Sequence, residues 1–342
     1  MLKIGVIGLG DVSKVHISNI LNNANASLVA VCDIDDMLRD RVSGVNFYND
    51  YNDMLANEEL DCVHVCLPHY LHFPVTKACV EKGVHVYQEK PLALNLAESI
   101  SLVNLEETYK NIKICVSLQN RLNETFLDIM KIVRSGKYGK VTGVKGLVTW
   151  YRPKAYYDEK PWRGHMNSAG GGVMINQALH TLDLMQLVGG EIQKIKGTID
   201  NLLDYGYEVE DTAVANIQYT NGARGLFFAT ITNTTNSSVE FQVILEKANL
   251  TIKDGILTIQ HGDNSKGKLS EDTKLPGEKF YYGAGHSKLI THFYNCIEKD
   301  TDDYIHAKDA IISMKMIDAI RRSSELQEEV NINFNELNSK TF

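Results

Sequence analysis

Residues 1–13 read MLKIGVIGLGDVS, and this stretch decides the fold. The apolar run at 2–7 predicts a β-strand, and the residues after it have the spacing G-x-G-x-x-S at Gly8, Gly10 and Ser13. The first glycine permits a tight turn, the second lets the backbone approach a pyrophosphate, and the third position needs a small residue for close helix–strand packing. A helix that begins there presents free N–H groups to phosphates. The pattern predicts a dinucleotide-binding βαβ unit.

A carboxylate after the second strand supports this interpretation. Asp33 follows the predicted strand at 28–32 and lies 25 residues after Gly8. A carboxylate in this place accepts hydrogen bonds from ribose hydroxyls and repels a 2′-phosphate. We therefore expect NAD, with NADP disfavoured. The alternative is a tight turn followed by an exposed aspartate.

Short apolar runs alternate with helical patterns over the first third of the chain. Strands are predicted at 2–7, 28–32, 62–67, 84–87 and 112–117, and helices at 14–21, from about 74, and at 96–109. Such alternation is typical of parallel βαβ units. Residues 1–120 are expected to form a doubly wound parallel sheet.

The pattern changes after a predicted helix at 124–134. Longer strands are predicted at 141–150, 194–199, 211–219, 225–232, 240–246 and 249–252, and helices at 174–187, 287–298 and 307–327. Asn221-Gly222 and Asp254-Gly255 are hairpin signals. We expect residues 121–342 to form an α+β domain with a large mixed or antiparallel sheet, open on one face. A second copy on that face would give a homodimer or homotetramer.

Composition excludes several classes of protein. The 342 residues are 44% hydrophobic and 23% charged, with a net charge of −8, which argues for a globular chain and against a general nucleic-acid binder. No run of 18 apolar residues predicts a membrane span, and the start of the chain lacks the pattern of a secretory signal. Six scattered cysteines without a CxxC pair favour the cytoplasm.

Lys90 is the first candidate for chemistry. It lies in Glu89-Lys90-Pro91, directly after the predicted strand at 84–87. Ligands of an open parallel sheet bind beyond the carboxyl ends of its strands, so Lys90 should lie near the nicotinamide. A lysine there can donate to a substrate oxygen and stabilise a developing alkoxide. The alternative is a solvated surface lysine.

His180 is the second candidate. Glycines 170–172 precede Asn176, His180 and Asp183, whose spacing would place all three on one face of a helix. His180 is a candidate general acid and base because the ordinary pKa of histidine lies near neutral pH. A partly buried structural histidine is the alternative.

Other chemistries find less support. His64, His69, His72 and His85 lie close in sequence, but no cysteine or carboxylate set with ligand spacing accompanies them, so we expect no metal. A serine hydrolase is disfavoured because the chain has no G-x-S-x-G motif.

Taken in order, the motifs resemble the Gfo/Idh/MocA family of NAD(P)-dependent sugar and polyol dehydrogenases, over nearly the whole chain. The resemblance rests on the glycine loop followed by His16, on CLPHYLH at 66–72 and on EKP at 89–91. It continues through Trp162-Arg163, residues 170–183, VEDTA at 209–213, NGA at 221–223 and Gly285-His286. It implies a Rossmann domain and hydride transfer between nicotinamide C4 and a ring carbon of a sugar or cyclitol.

The resemblance also implies site residues. Lys90 would be the catalytic lysine, and His180 would exchange the hydroxyl proton. The implied substrate-binding residues are Asn176, Gln177, Trp162, Arg163, Arg121 and His286. The implied cofactor-binding residues are Gly8, Gly10, Asp11, Val12, Ser13, Asp33, Ile34, Leu67, Pro68, His69, His72, Glu89, Lys90 and Gln119.

The chain departs from the family at Asn176, where many members carry aspartate. A carboxylate four residues before His180 would favour its charged form, whereas an amide does not. We therefore expect Asn176 to bind substrate or to orient His180.

Two other functions stay open on the same fold: a dinucleotide-sensing regulator without catalysis, and a redox-neutral NAD-dependent glycosidase. Arg152, Lys154, Lys160 and Arg163 would suit a phosphorylated or nucleotide-linked sugar, or they form a solvated loop.

Overall fold

The structure is a computed structural model that describes residues 1–274 and 284–332. Its contacts divide the chain into two units. The first comprises Met1–Gln119 and Gly285–Ile311, and the second comprises Asn120–Ala284 and Ile312–Phe342.

The first part of the chain largely alternates between strands and helices, whereas the strands between residues 192 and 271 follow one another without an intervening helix. The strands are β1 (Leu2–Ile7), β2 (Ala26–Cys32), β3 (Asn46–Tyr48), β4 (Cys62–Val65), β5 (His85–Gln88), β6 (Ile114–Val116), β7 (Val141–Thr149), β8 (Ile192–Asp200), β9 (Thr212–Tyr219), β10 (Arg224–Thr230), β11 (Glu240–Leu245), β12 (Ala248–Lys253), β13 (Ile256–His261), β14 (Lys266–Glu271) and β15 (Val330–Asn331). The α-helices are α1 (Ser13–Leu21), α2 (Tyr51–Asn57), α3 (His72–Glu81), α4 (Leu96–Thr108), α5 (Glu124–Ser135), α6 (Ala155–Asp158), α7 (Met166–Ala169), α8 (Val173–Asn176), α9 (Leu179–Gly189), α10 (Gly285–Glu298) and α11 (Ala307–Leu326).

The first unit is built on a six-stranded parallel sheet in the order β3-β2-β1-β4-β5-β6. Every residue of β4 and β6 is buried, as expected for strands covered on both faces by helices. The strand order reverses between β1 and β4, the place where doubly wound sheets bind their ligands. The predicted doubly wound sheet is confirmed.

The second unit is built on a nine-stranded mixed sheet in the order β14-β13-β12-β11-β7-β10-β9-β8-β15. Among the described residues of this sheet, β7 and β10 are the pair that runs parallel. Helices α5, α8 and α9 pack against the sheet, while exposed and buried residues alternate along β8 and β10. Leu226 on β10 is 44% exposed, so an apolar side chain lies on the outward face. The expected mixed sheet is confirmed.

Helix α10 joins the first unit although it comes late in the chain. It packs against α1 and β5, and the Asn25 side-chain amide donates to the Glu298 carboxylate at its end, at 3.3 Å. The first unit therefore takes up 285–311, which the sequence boundary at residue 120 left in the second domain.

The predicted helix at 174–187 is interrupted. Helix α8 ends at Asn176 and α9 begins at Leu179. The Ala178 N–H bonds to the Val173 carbonyl five residues back, which closes the first helix before the second begins. Asn176 and His180 consequently lie on two helices.

All six cysteines are reduced and buried, and all six belong to the first unit. Burial raises the pKa of the Cys32 thiol to about 12. In the described part of the chain, no helix combines the length and the apolar character that a membrane crossing needs.

Candidate active site

The glycine loop between β1 and α1 fits a pyrophosphate. Gly8 has φ +91°, and a Cβ on it would lie 2.5 Å from the Cys66 carbonyl oxygen, so only glycine is accommodated. A Cβ on Gly10 would meet no atom within 4 Å, so its backbone faces open space. One glycine is required by the fold, and the other leaves room for a ligand.

The N-terminus of α1 completes this loop. Ser13 is fully buried, and its hydroxyl donates to the Gly10 carbonyl at 2.7 Å. No side chain caps the helix at Val12, so its first N–H groups are available to an anion. Asp11 is exposed beside them. This arrangement fits the phosphates of NAD.

Asp33 lies at the end of β2, next to the same loop. Its carboxylate accepts the backbone N–H of Leu9 at 2.7 Å and that of Asp35 at 3.0 Å. The Arg41 guanidinium donates to the Leu9 carbonyl. Ile34 is 91% exposed. Asp33 is therefore held in place by the loop whose ligand it is expected to bind.

His72 joins the segments that follow β4 and β5. Its Nε2 lies 2.9 Å from the Leu67 carbonyl, and its Nδ1 lies 2.7 Å from the Pro91 carbonyl. Burial lowers its pKa, and the two backbone contacts act against that shift. His69, also buried, precedes it, and Pro68 lies between Leu67 and His69. Both segments lie at the carboxyl edge of the sheet.

Lys90 follows β5 at this edge and is half-buried. The residues around it are fixed by their own hydrogen bonds. Gln88 accepts from the Thr76 hydroxyl at 2.6 Å and donates to the Leu92 carbonyl at 2.6 Å. Gln119, 1% exposed, accepts a hydrogen bond from Ser117 after the neighbouring β6, at 3.4 Å. The lysine thus extends from a rigid segment.

Glu89, the neighbour of Lys90, is a buried carboxylate that contacts two histidines. His16 Nε2 lies 2.9 Å from its Oε1, and His286 Nε2 lies 3.4 Å from the same atom. Burial alone would raise the pKa of Glu89, but the two histidines hold it well below its usual value. Glu89 is therefore an anion. His286, expected to bind substrate, lies 1% exposed in this interior cluster.

One cluster in the described parts of the chain has the residue types of a metal site. It consists of His16, Glu89 and His286, whose potential ligand atoms lie within 4.8 Å of one another. The hydrogen bond between the first two accounts for that closeness without an ion. The histidines considered from the sequence have other partners: His72 contacts two carbonyls, and His85 Nδ1 accepts the Lys113 N–H at 3.0 Å.

In the second unit, Glu210 fixes the glycine-rich segment before α8. Its carboxylate accepts the N–H groups of Gly172 at 2.9 Å and Met174 at 3.2 Å, and a Cβ on Gly172 would overlap the Glu210 backbone. The segment leads to Asn176 at the end of α8 and to His180 in the first turn of α9, both half-buried. Glycine at position 172 lets the chain pass close to Glu210.

Arg121 makes a buried ion pair with Asp183 on α9. Two guanidinium nitrogens donate to the two carboxylate oxygens at 2.8 and 2.6 Å, and the side chains are 13% and 1% exposed. Paired charges of this geometry are directional and strong. Arg121, expected to bind substrate, thus holds α9 three residues after His180.

Tyr156 brings together three of the expected substrate-binding residues. The Arg163 guanidinium lies 4.0 Å from the centre of its ring and 5.9 Å from that of Trp162. The Gln177 amide donates to the Tyr156 hydroxyl at 3.2 Å. Arg152 lies over the same tyrosine at 5.4 Å. The result is an aromatic surface with cations against it.

Glu210 and Tyr156 were not singled out as site residues from the sequence. Glu210 had a signal, since it lies in the VEDTA motif at 209–213. Tyr156 lies in the segment 151–162, which contains four tyrosine or tryptophan residues, and this enrichment in aromatic residues is a sequence signal for a ligand-binding surface. The network around Glu89 joins residues far apart in sequence, and only the fold shows it.

Two family models match the chain. One, described as an oxidoreductase family with an NAD-binding Rossmann fold, matches residues 2–117, and the other, the GFO/IDH/MocA C-terminal domain, matches residues 126–251. Together they cover more than half of the chain. The first unit is therefore an NAD-binding Rossmann domain.

Similar proteins agree with these matches. A myo-inositol 2-dehydrogenase of Thermotoga maritima is 27% identical over 66% of this chain and 67% of its own length. A scyllo-inositol 2-dehydrogenase (NAD(+)) of Bacillus subtilis is 24% identical over 92% of each chain. The crystal structure of the WlbA dehydrogenase from Bordetella pertussis, in complex with NADH and UDP-GlcNAcA, has a TM-score of 0.84 and 25% identity over 98% of this chain and 99% of that one.

Proposed function

Because the chain belongs to the Gfo/Idh/MocA family of NAD-binding oxidoreductases, we propose that it oxidises or reduces a ring carbon of a sugar, sugar derivative or cyclitol. The observation that carries the proposal lies within the first unit. The glycine loop that fits a pyrophosphate and the rigid segment that bears Lys90 both follow strands of one parallel sheet, at its carboxyl edge. That edge is where such a sheet binds ligands.

The cofactor is held by the loop at residues 8–13 and by Asp33. The N–H groups at the start of α1 bind the phosphates, and the Asp33 carboxylate accepts from the adenosine ribose. NAD, when bound, supplies the acceptor or donor of hydride. The negative charge of Asp33 opposes a 2′-phosphate, which favours NAD over NADP.

Lys90 binds the substrate oxygen. Its ammonium group donates a hydrogen bond to the hydroxyl and stabilises the negative charge that develops there when the C–H bond breaks. The segment around it, fixed by Gln88, His72 and Glu89, holds the lysine in one place. Fixed donors of this kind contribute most when they need no rearrangement during the reaction.

His180 exchanges the hydroxyl proton. It lies in the first turn of α9, a helix held by the Arg121–Asp183 ion pair. With Asn176 in the place of the common aspartate, no carboxylate from that position supports its charged form. Asn176 and Gln177 offer amides that donate to and accept from substrate hydroxyls.

The substrate class follows from the relatives and from the aromatic surface. Two of the relatives act on inositols, as their names say, and the WlbA structure contains a nucleotide-linked sugar acid. The ring faces of Tyr156 and Trp162, with Arg163 against them, suit a polyhydroxylated ring bearing polar or anionic groups. We place cyclitols first and nucleotide-linked sugars second.

The outward face of the nine-stranded sheet supports a homo-oligomer. Leu226 is exposed there, and Phe228 two residues on is half-buried on the same side of β10. A second copy of the chain would cover this face in a homodimer or homotetramer. Reduced, buried cysteines agree with a cytoplasmic enzyme.

A spectrophotometric screen tests the function. Formation of NADH or NADPH is followed at 340 nm with NAD+ and NADP+ in separate runs, using myo-inositol, scyllo-inositol, aldoses and UDP-sugars. We expect turnover with NAD+ on a cyclitol or a sugar, lost in Lys90→Ala and His180→Ala. The matched control is Lys110→Ala, which removes an exposed lysine of the same unit. Tight binding of NAD+ without turnover on any compound would contradict the proposal.

A further inference from the structure

Four buried side chains from four elements form one hydrogen-bonded chain in the first unit. The Tyr294 hydroxyl on α10 lies 2.8 Å from His64 Nε2 on β4. His64 Nδ1 lies 2.8 Å from His16 Nδ1 on α1, and His16 Nε2 lies 2.9 Å from the Glu89 carboxylate after β5. None of the four residues is more than 5% exposed.

The anion at one end fixes the direction of every bond in this chain. A carboxylate only accepts, so His16 carries a proton on Nε2 and, as a neutral ring, accepts at Nδ1. His64 must then donate from Nδ1 and accept at Nε2, which leaves the Tyr294 hydroxyl to donate. Burial lowers the pKa of His16 and, more strongly, of His64, so both rings are neutral, as this order of bonds requires.

The chain ends at Lys90. The second carboxylate oxygen of Glu89 accepts the backbone N–H of Lys90 at 3.3 Å, and His286 on α10 contacts the first oxygen. Helix α10 therefore contributes at both ends of the network, through Tyr294 and through His286. The orientation of the Glu89 carboxylate sets the backbone from which the lysine extends.

We propose that the chain Tyr294–His64–His16–Glu89 positions Lys90, with the Tyr294 hydroxyl on α10 as the terminal donor that holds the His64 ring in place. The inference rests on the proposed role of Lys90. Tyr294 acts through the histidines and Glu89 and does not touch the reacting atoms, so it is a positioning residue. Removal of its hydroxyl leaves Nε2 of the buried His64 without this donor, so the ring is held less firmly against His16, and the Glu89 carboxylate is held less firmly in turn.

The tautomers are measurable in the wild-type protein without any substrate. Long-range proton–nitrogen correlation spectra of histidine-labelled protein at pH 7 distinguish Nδ1–H, Nε2–H and doubly protonated rings. We expect neutral His16 with the proton on Nε2 and neutral His64 with the proton on Nδ1. The opposite tautomers, or a doubly protonated ring at either residue, would overturn the inference.

Two tyrosine variants then test positioning. Tyr294→Phe removes the terminal donor, whereas Tyr87→Phe removes a buried hydroxyl that contacts Ser117 and lies outside the chain, on a ring stacked against His64. We expect Tyr294→Phe to shift the His64 Nε2 resonance, to shift the backbone amide resonance of Lys90 and to lower kcat about tenfold, with KM for NAD+ within about twofold. Tyr87→Phe should leave the His64 Nε2 and Lys90 amide resonances in place and change kcat and KM by no more than about twofold.

The outcomes separate this inference from the proposed function. Equal effects of the two variants, or an unchanged Lys90 amide resonance and kcat in Tyr294→Phe, overturn the positioning role. If the wild type turns over no compound and yet the His64 Nε2 and Lys90 amide resonances respond to Tyr294→Phe alone, the network stands and the proposed function fails.

Discussion

Substitution by alanine should have different effects at the two glycines of the phosphate loop: it should destabilise the fold at Gly8 and weaken cofactor binding at Gly10. In Gly8→Ala, a non-glycine residue at φ +91° costs about 1–2 kcal/mol. The new Cβ also lies 2.5 Å from the Cys66 carbonyl oxygen, a backbone atom that cannot move away, and such overpacking costs about 1–3 kcal/mol more. We expect the free energy of unfolding of the first unit to fall by about 2–5 kcal/mol.

Gly10→Ala should leave the fold unchanged and affect the ligand. Its Cβ would meet no protein atom within 4 Å, so stability should change by less than about 0.5 kcal/mol. The same methyl group occupies the space in which the pyrophosphate approaches the backbone. We expect the dissociation constant for NADH to rise at least about tenfold, or about 1.4 kcal/mol.

The distribution of cysteine and tryptophan residues allows the unfolding of each unit to be measured separately. All six buried cysteines belong to the first unit, so their reactivity with a thiol reagent across a urea series reports its unfolding. Trp150 and Trp162 belong to the second unit, so tryptophan fluorescence reports the other. NADH binding is measured by titration at low urea. Wild-type thiol protection in Gly8→Ala, or unchanged NADH affinity in Gly10→Ala, would refute this account of the loop.

Three further predictions concern charge and the open sheet. Arg121→Met leaves the Asp183 carboxylate buried without its partner, so the free energy of unfolding, measured by tryptophan fluorescence in urea, should fall by about 3–5 kcal/mol. The double variant Arg121→Met with Asp183→Leu should recover most of this loss, and equal stability of the single and double variants would contradict the prediction. The pKa values of His16 and His64 are lowered by burial in the folded protein, so the unfolded chain binds more protons just below pH 6.5 and the free energy of unfolding should decrease as the pH falls from 6.5 to 5.5. The check is a lower urea midpoint for thiol exposure at pH 5.5, and an unchanged midpoint would contradict the neutral state of these histidines. Leu226→Asp places a charge on the outward face of the sheet and should reduce the molar mass measured by sedimentation to that of one chain. A wild-type protein that already sediments as a monomer would refute the proposed interface.

The sequence predicts the local features of the first unit well. Strand β1 occupies the predicted residues, and α1 begins one residue before its predicted start, because a buried apolar run, a glycine turn and a helix follow one another within 21 residues. Strand β3 and helix α2 were not predicted. They are short, and β3 lies at the edge of the sheet, where the apolar pattern is weakest.

Features that depend on distant contacts could not be predicted. The break between α8 and α9 depends on the Ala178–Val173 hydrogen bond and on Glu210, which holds the preceding glycines. The place of α10 in the first unit depends on its packing against α1 and β5. No local pattern encodes either.

The buried network had one local signal in the sequence. His64 lies within the apolar run Cys62–Val65, and a polar residue in a fully buried strand needs a hydrogen-bond partner. That signal indicates that partners exist, but it does not identify them. His16 lies 48 residues away and Tyr294 lies 230 residues away, and only the fold brings them together.

The central claim is hydride transfer that depends on Lys90, and deuterium transfer tests it most directly. Myo-inositol deuterated at C2 is incubated with NAD+ and the enzyme, and the nicotinamide product is analysed by mass spectrometry and proton NMR. We predict one deuterium at C4 of the NADH formed by the wild type and by Lys110→Ala, and no NADH from Lys90→Ala. NADH without deuterium, or equal deuterium transfer by Lys90→Ala, would contradict the account.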